Sequence, residues 1–478
     1  MGEEISNIRF RKPHFRDFQE RLSQETDLLQ SWFENKAFDC GQQTGGFEIE
    51  AWLVDRVFDP APINQAFLEL LQNPMVVPEL SAFNVELNTE PQLMTGRALS
   101  RMHEDLEKTW SNCRDVANKL DTDMLMIGIL PTVRESDLGL NNMSQLARYR
   151  ALNEQILRLR KGEALQLDIS GRELLNTQHH DVMVEAAATS FQIHLKLPPE
   201  QSVRYFNAAI ILSAPMVAIS ANSPFLFGRD LWDETRIPLF EQAVSVASLK
   251  AKLADRVTFG KSYIQDSLLE CFQENLDRYP VLLPELMEEP LEKLSHLRLH
   301  NGTIWRWNRP LIGFNDDGRP HLRMEHRVVP AGPSAIDTIA NAAFFYGLVH
   351  MFANSEEVPE ERLPFSVARA NFYAAAKNSL NAQVQWLDGN TLPVYDLLVE
   401  ELLPLARVGL EAQEFDNDDI ETYMDVIRGR LRARCNGTVW QRSWVAKHGK
   451  DMHALMQAYA EHQRGGAPVH EWPVGEDG

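Results

Sequence analysis

Residues 46–55, GFEIEAWLVD, put two glutamates two apart inside an apolar run. Three further stretches of the chain repeat that design. Side chains in an extended strand alternate between faces. Glu48, Glu50 and Trp52 therefore share one side, and Phe47, Ile49, Ala51 and Leu53 take the other. In AFNVELNTEP (82–91), Asn84, Glu86, Asn88 and Glu90 oppose Phe83, Val85 and Leu87. In TSFQIHLKL (189–197), Gln192, His194 and Lys196 oppose Phe191, Ile193 and Leu195. In HLRMEHRVV (321–329), Arg323, Glu325 and Arg327 oppose Leu322, Met324 and Val328. Such stretches bury their apolar faces by joining in a sheet that helices cover on one side. On one strand face, two carboxylates about 7 Å apart repel by about 2 kcal/mol at an effective dielectric of ~20. A bound cation would offset that cost, whereas an amphipathic surface strand would leave both acids in water. Adjoining in one sheet, the four polar faces would make a carboxylate-lined site for hard cations, with arginines for anionic oxygens. Mg²⁺ bridging nucleotide phosphates is the natural occupant.

Between these strands, apolar periodicity predicts helices over 14–35, 64–71, 97–120, 142–160 and 201–221. DMLMIGIL (123–130) reads as an apolar strand, and the acidic middle, 229–300, as helical with YPVLLPEL as a breaker. GTIWRWNRP and PHLRMEHRVV read as strands joined across NDDG, a hairpin-type turn. From 334 onward the chain reads as helical, ending in a Gly/Pro-containing tail, 465–478, expected to be loose. Strands dispersed from 46 to 328 favour a single α+β domain over 10–464 rather than two independent halves. Its core would span about 44–385 and its helical C-terminal part 386–464.

The net charge of −21, from 47 basic and 68 acidic side chains, argues against a nucleic-acid or anionic-membrane partner. Four cysteines without a CxxC pair read as reduced thiols. The first fifteen residues lack the apolar core of a signal peptide. The apolar stretch 206–227 is interrupted by Asn207, Ser213, Pro215 and Asn222, so it reads as a buried helix rather than a membrane span. A cytoplasmic protein is expected. GKS at 260–262 is no phosphate loop, because Asp255 stands where the upstream glycine belongs. Arg148-Tyr149-Arg150 reads as a charged helix face rather than a substrate contact, and Trp305 and Trp307 as core packing rather than the lining of a nucleotide pocket.

GFEIE, FNVELNTEP, RVTFGKSY and RMEHRVVPAGPS resemble the second glutamate–cysteine ligase family of carboxylate–amine ligases, within the glutamine synthetase superfamily. SANSPFLFGRDLWDETR and RANFYAAAKNSLNA are similar to its later segments, and all occur in family order over about 44–385. The resemblance implies a glutamine synthetase-like catalytic domain: an antiparallel sheet curved into a funnel, helices outside, metals at the centre. It implies that Glu48, Glu50, Glu86 and Glu325 hold two or three Mg²⁺ ions. Arg236 and Arg327 would contact the acyl substrate and the transferring phosphoryl group, and Arg309 and His194 would serve cofactor binding. Many members carry His-x-His where this chain has Gln192-Ile193-His194. A plant-type branch also uses Gln, whose amide oxygen can ligate Mg²⁺, so Gln192 joins the metal candidates. Ser379 replaces a glycine common in the late helix.

The activity implied is ATP-dependent ligation of glutamate to an amine such as cysteine, through a γ-glutamyl phosphate, giving γ-glutamylcysteine for glutathione-type thiol synthesis. The implied partners are these small molecules, in a protein compatible with a homo-oligomer. A γ-glutamyl ligase for another amine remains open. So does a non-catalytic nucleotide- or amino-acid-binding relative, although retention of all four glutamates argues against it. A metal-dependent hydrolase would need a site that admits water.

Overall fold

The four alternating stretches assemble into one sheet. The computed structural model describes residues 5, 7–247 and 253–474. The sheet comprises β1 (Thr44–Val54), β2 (Val76–Pro78), β3 (Asn84–Asn88), β4 (Gln92–Leu93), β5 (Asp123–Leu125), β6 (Ser190–Leu197), β7 (Asn308–Phe314) and β8 (Pro320–Pro330). Its order is β7-β8-β6-β1-β3-β2, with β4 and β5 pairing opposite ends of β1; every pair is antiparallel, and the sheet curls into a half-barrel. β1 is central. Across it Glu48 faces Gln192 of β6 on one side and Asn88 of β3 on the other, while Glu50 faces Glu86. His194 faces Glu325 across β6–β8, and Arg309 faces Glu325 across β7–β8. Beyond His326 the β8 register shifts, so that Arg327 and Val328 together oppose Gln192 alone. This is a β-bulge.

The helices used below are α1 (Lys12–Glu34), α2 (Ala98–Lys119), α3 (Ala147–Leu159), α4 (Ser202–Ser220), α5 (Ser295–Gly302), α6 (Ala335–Asn354), α7 (Phe365–Asn378), α8 (Leu403–Ala412) and α9 (Asn417–Ala433). α4 and α6 are apolar on nearly all sides and lie behind the sheet, where Phe47, Ile49, Val85, Phe191, Ile193 and Met324 are buried. Each such side chain contributes roughly 1.5–3 kcal/mol of burial. Both helices are long and apolar enough to cross a membrane, and both are largely buried inside the protein. Tyr346 of α6 points its hydroxyl at the carbonyls of Gly46 and His194, at 3.1 and 3.0 Å, pinning β1 and β6 to the helix layer. α7 packs on α4, and α8 and α9 pack on α6. At the α6–α8 crossing a Cβ on Gly347 would lie 2.1 Å from the carbonyl oxygen of Ala406, and one on Gly409 would lie 2.0 Å from that of Gly347. The two backbones are in contact there.

Several expectations need amendment. DMLMIGIL is a strand only through Leu125. Its later carbonyls accept instead from Trp52 Nε1 (to Ile127, 3.2 Å) and the Thr189 amide (to Gly128, 2.9 Å). The helix expected from 142 starts at Ala147, because Met143 is held in a bridge to Ser81. The acidic middle is helical only over Arg236–Ala243, Leu269–Arg278, a single 3-10 turn at Leu291–Lys293 and α5 among its described residues. A hairpin, Leu165–Ser170 with Leu174–His179, was not anticipated, nor was the small one at Gln383–Gln385 and Thr391–Pro393. Beyond Gly465 the tail docks rather than hanging loose. Val469 and Trp472 are buried, and Trp472 packs edge-on against Trp440 and Tyr459. Its last four residues lie outside the described ones.

Candidate active site

The half-barrel's polar face lines one cavity, and two clusters of cation-ligand type meet there. In the first, Glu48, His194 and Glu325 each place a ligand-type atom within 4.8 Å of the others. His194 Nε2 lies 3.5 Å from a Glu48 oxygen and 3.9 Å from a Glu325 oxygen, buried and without a hydrogen-bond partner. Burial lowers the His194 pKa to about 4, so at neutral pH the ring is neutral, the form in which imidazole ligates a cation. In the second cluster Glu50, Glu79 and Glu86 converge within the same limit. Burial and then Glu79 raise Glu50 to about 7, while burial, Glu48 and Glu79 raise Glu86 well above the carboxylate range. An orphaned imidazole nitrogen between two carboxylates, and three crowded carboxylates beside it, fit the donor set of hard divalent cations.

Arginines set the charge between the clusters. Arg309 forks onto Glu325, with Nε and Nη2 at 2.9 and 2.8 Å from its two oxygens. Arg327 adds a third bond to that carboxylate at 2.9 Å. Burial opposes the charge on Glu325, but Arg309 and Arg327 outweigh it and hold this carboxyl well below its ordinary value. Gln192 bridges the clusters: its amide donates to Glu50 at 3.0 Å and its oxygen accepts from Arg327. Glu50 also accepts from the Ser190 amide and hydroxyl, at 2.6 and 3.0 Å. Arg323 lines the same face without a hydrogen bond or ion pair to any described residue, and its Nε is buried and unsatisfied. A second cavity, lined by Lys196, Arg319, His321 and Asn88, meets the first at Glu48, His194 and Arg323.

The fold thus brings Glu48, Glu50, Glu86, Gln192, His194, Arg309, Glu325 and Arg327 to one cavity. Arg236 is the exception. It is buried outside the cavity lining, where Nε bonds Glu234 at 3.1 Å and Nη1 and Nη2 donate to the carbonyls of Arg327 and Val328. Its guanidinium also lies over the Trp307 ring at 5.3 Å. It clamps the bulge and does not reach the cavity. Sequence reasoning missed Glu79, from the irregular link between β2 and β3, and Glu185, from the short turn Met183–Ala187. Neither lies in a periodic run. Arg148 and Tyr149 of α3, read as a charged helix face, both line the cavity, as does Trp305; Trp307 is packed in the core as expected.

The model of the family described as glutamate-cysteine ligase family 2 matches residues 44–466. Among solved structures, the chain is similar to a glutamate–cysteine ligase from Francisella tularensis in complex with AMP. The identity is 11% and the TM-score 0.59, over 89% of this chain and 90% of that one. It is also similar to a bifunctional glutathione synthetase from Pasteurella multocida, at 13% identity and a TM-score of 0.52, over 92% of this chain and 55% of that one. At these identities the likeness is one of fold. No curated protein sequence matches the chain.

Proposed function

Since the chain belongs to glutamate-cysteine ligase family 2, we propose that this ATP-dependent ligase joins the γ-carboxylate of glutamate to the amine of cysteine through a γ-glutamyl phosphate. The observation that carries the reading is the pair of cation-ligand clusters, Glu48–His194–Glu325 and Glu50–Glu79–Glu86, with Arg327 between them. A carboxylate resists attack by an amine because oxide is a poor leaving group. Phosphorylation by ATP supplies a better one. The amine, in its neutral form, then bonds the acyl carbon through its nitrogen lone pair, the C–O bond to phosphate breaks, phosphate departs with the electron pair of that bond, and the nitrogen releases a proton to solvent. The six cluster residues would hold Mg²⁺, which when bound offsets phosphate charge.

The chain's own groups do the rest. Arg327, locked by Glu325 and Gln192, faces the cavity with a fixed guanidinium, suited to the charge that develops on the transferring phosphoryl group. Arg309 is committed to Glu325 and so orients that carboxylate. Arg323, with no carboxylate partner among the described residues, is available to nucleotide phosphates from the junction of the two cavities. Trp305, Leu152 and Leu299 supply an apolar wall that excludes water from an acyl phosphate. The test is Mg²⁺-dependent ADP formation. A ligase requires both glutamate and an amine for it; ADP formation without either amino compound would make the protein a hydrolase, and none under any condition would make it a binding protein.

A further inference from the structure

Six glutamates line the cavity, and the two clusters account for five of them. The sixth, Glu185, belongs to neither. It sits on the turn Met183–Ala187 that leads into β6, where Met183, Val184, Ala186 and Ala187 are all buried. Packing alone would be better served there by another apolar side chain. The Glu185 carboxylate makes no hydrogen bond or ion pair with any described residue. Its charged neighbours are Glu79, Glu50 and Arg327. The carboxylate is half-buried at the cavity wall with no protein donor, so a ligand in the cavity can supply one. Two of its three charged neighbours are anions, which favours a cationic donor.

We propose that Glu185 is the acceptor-amine subsite, its carboxylate receiving hydrogen bonds from the ammonium group of the incoming amine. The assignment rests on the ligase reading above. Arg327 and Glu50 flank the place of phosphoryl transfer, so Glu185 lies at the reacting end of the glutamyl donor. The donor's own ammonium is held away from its γ-carboxyl by two methylenes, which leaves the acceptor as the substrate ammonium that reaches this corner.

The test compares two nucleophiles. Cysteine presents an ammonium at neutral pH, whereas hydroxylamine is neutral and needs no counter-charge. In Glu185→Gln the KM for cysteine should rise by about tenfold or more, while glutamate KM and hydroxamate formation with hydroxylamine stay within about threefold of wild type. Should that variant not fold, Glu185→Asp, which keeps the charge but withdraws it, should show the same split at smaller size. Equal losses with both nucleophiles, no loss with either, or a rise in glutamate KM alone would each overturn the assignment. Wild-type protein that forms no hydroxamate from glutamate and ATP would instead overturn the ligase reading, and this subsite with it.

Discussion

Glu79 shows what a residue must do to escape a reading of strand faces. It lies between two strands, in PELS, and joins Glu50 and Glu86 only because the chain turns there. If it ligates a cation with them, Glu79→Gln should lower the rate of ADP formation by about a hundredfold at ordinary Mg²⁺, as Glu50→Gln should. Removing one of three crowded charges should leave the thermal midpoint of metal-free protein unchanged or higher. Wild-type rates in both variants would dissolve that cluster as a metal site. Gln192 is the other informative residue. With its amide nitrogen on Glu50 and its oxygen on Arg327, its first task in this geometry is to hold Arg327. Gln192→Leu should therefore cost about tenfold in turnover while the Mg²⁺ concentration for half-maximal rate stays put. A raised Mg²⁺ midpoint would place the amide oxygen among the ligands instead.

At the scale of elements, the bulge in β8 and the α6–α8 crossing carry the constraint. Strand faces were legible because their period of two survives in GFEIE and TSFQIHLKL, and the bulge was not, because an extra residue leaves no mark on composition. Arg236 saturates the two bulge carbonyls, so its influence on chemistry passes through Arg327. Arg236→Met and Arg327→Lys should each depress turnover, the second because ammonium lacks the planar fork. The double variant should be little worse than the poorer single one, since both remove one interaction. Additive losses would show that the clamp acts elsewhere. Gly409→Ala would force a Cβ against the Gly347 carbonyl. Overpacking of this kind costs about 1–3 kcal/mol, readable as a lower urea midpoint, and activity per folded molecule should be unchanged.

Across the whole molecule, burial decides how the protein meets acid. His300 donates through Nε2 to the Asn275 carbonyl, and His326 is bonded through Nδ1 to Asn308; the second nitrogen of each ring is buried without a partner. Burial lowers their pKa values from 6.5 to about 4 and about 3. Protons then bind the unfolded chain more readily, so this stability is intact above pH 6.5 and drains away as pH falls toward those values. His300→Gln lacks its share of that loss. Its stability deficit against wild type should shrink by on the order of 3 kcal/mol between neutral pH and about pH 4. A constant deficit would mean that His300 takes up its proton in the fold as readily as in the unfolded chain. Such burial is invisible to a local reading: both histidines look solvent-compatible in sequence, and only the sheet's curl and the packing of α5 and α6 enclose them. The same curl leaves β1 as the strand from which both carboxylate clusters hang, Glu48 in one and Glu50 in the other, with no carboxylate shared. The strand is then a ruler. Its two-residue repeat of roughly 7 Å exceeds the ~4 Å of paired ions that share a bridging oxygen. Manganese ions loaded into the protein should give the spectrum of two magnetically separate centres, and a strongly exchange-coupled pair would mean that the strand does not set their spacing.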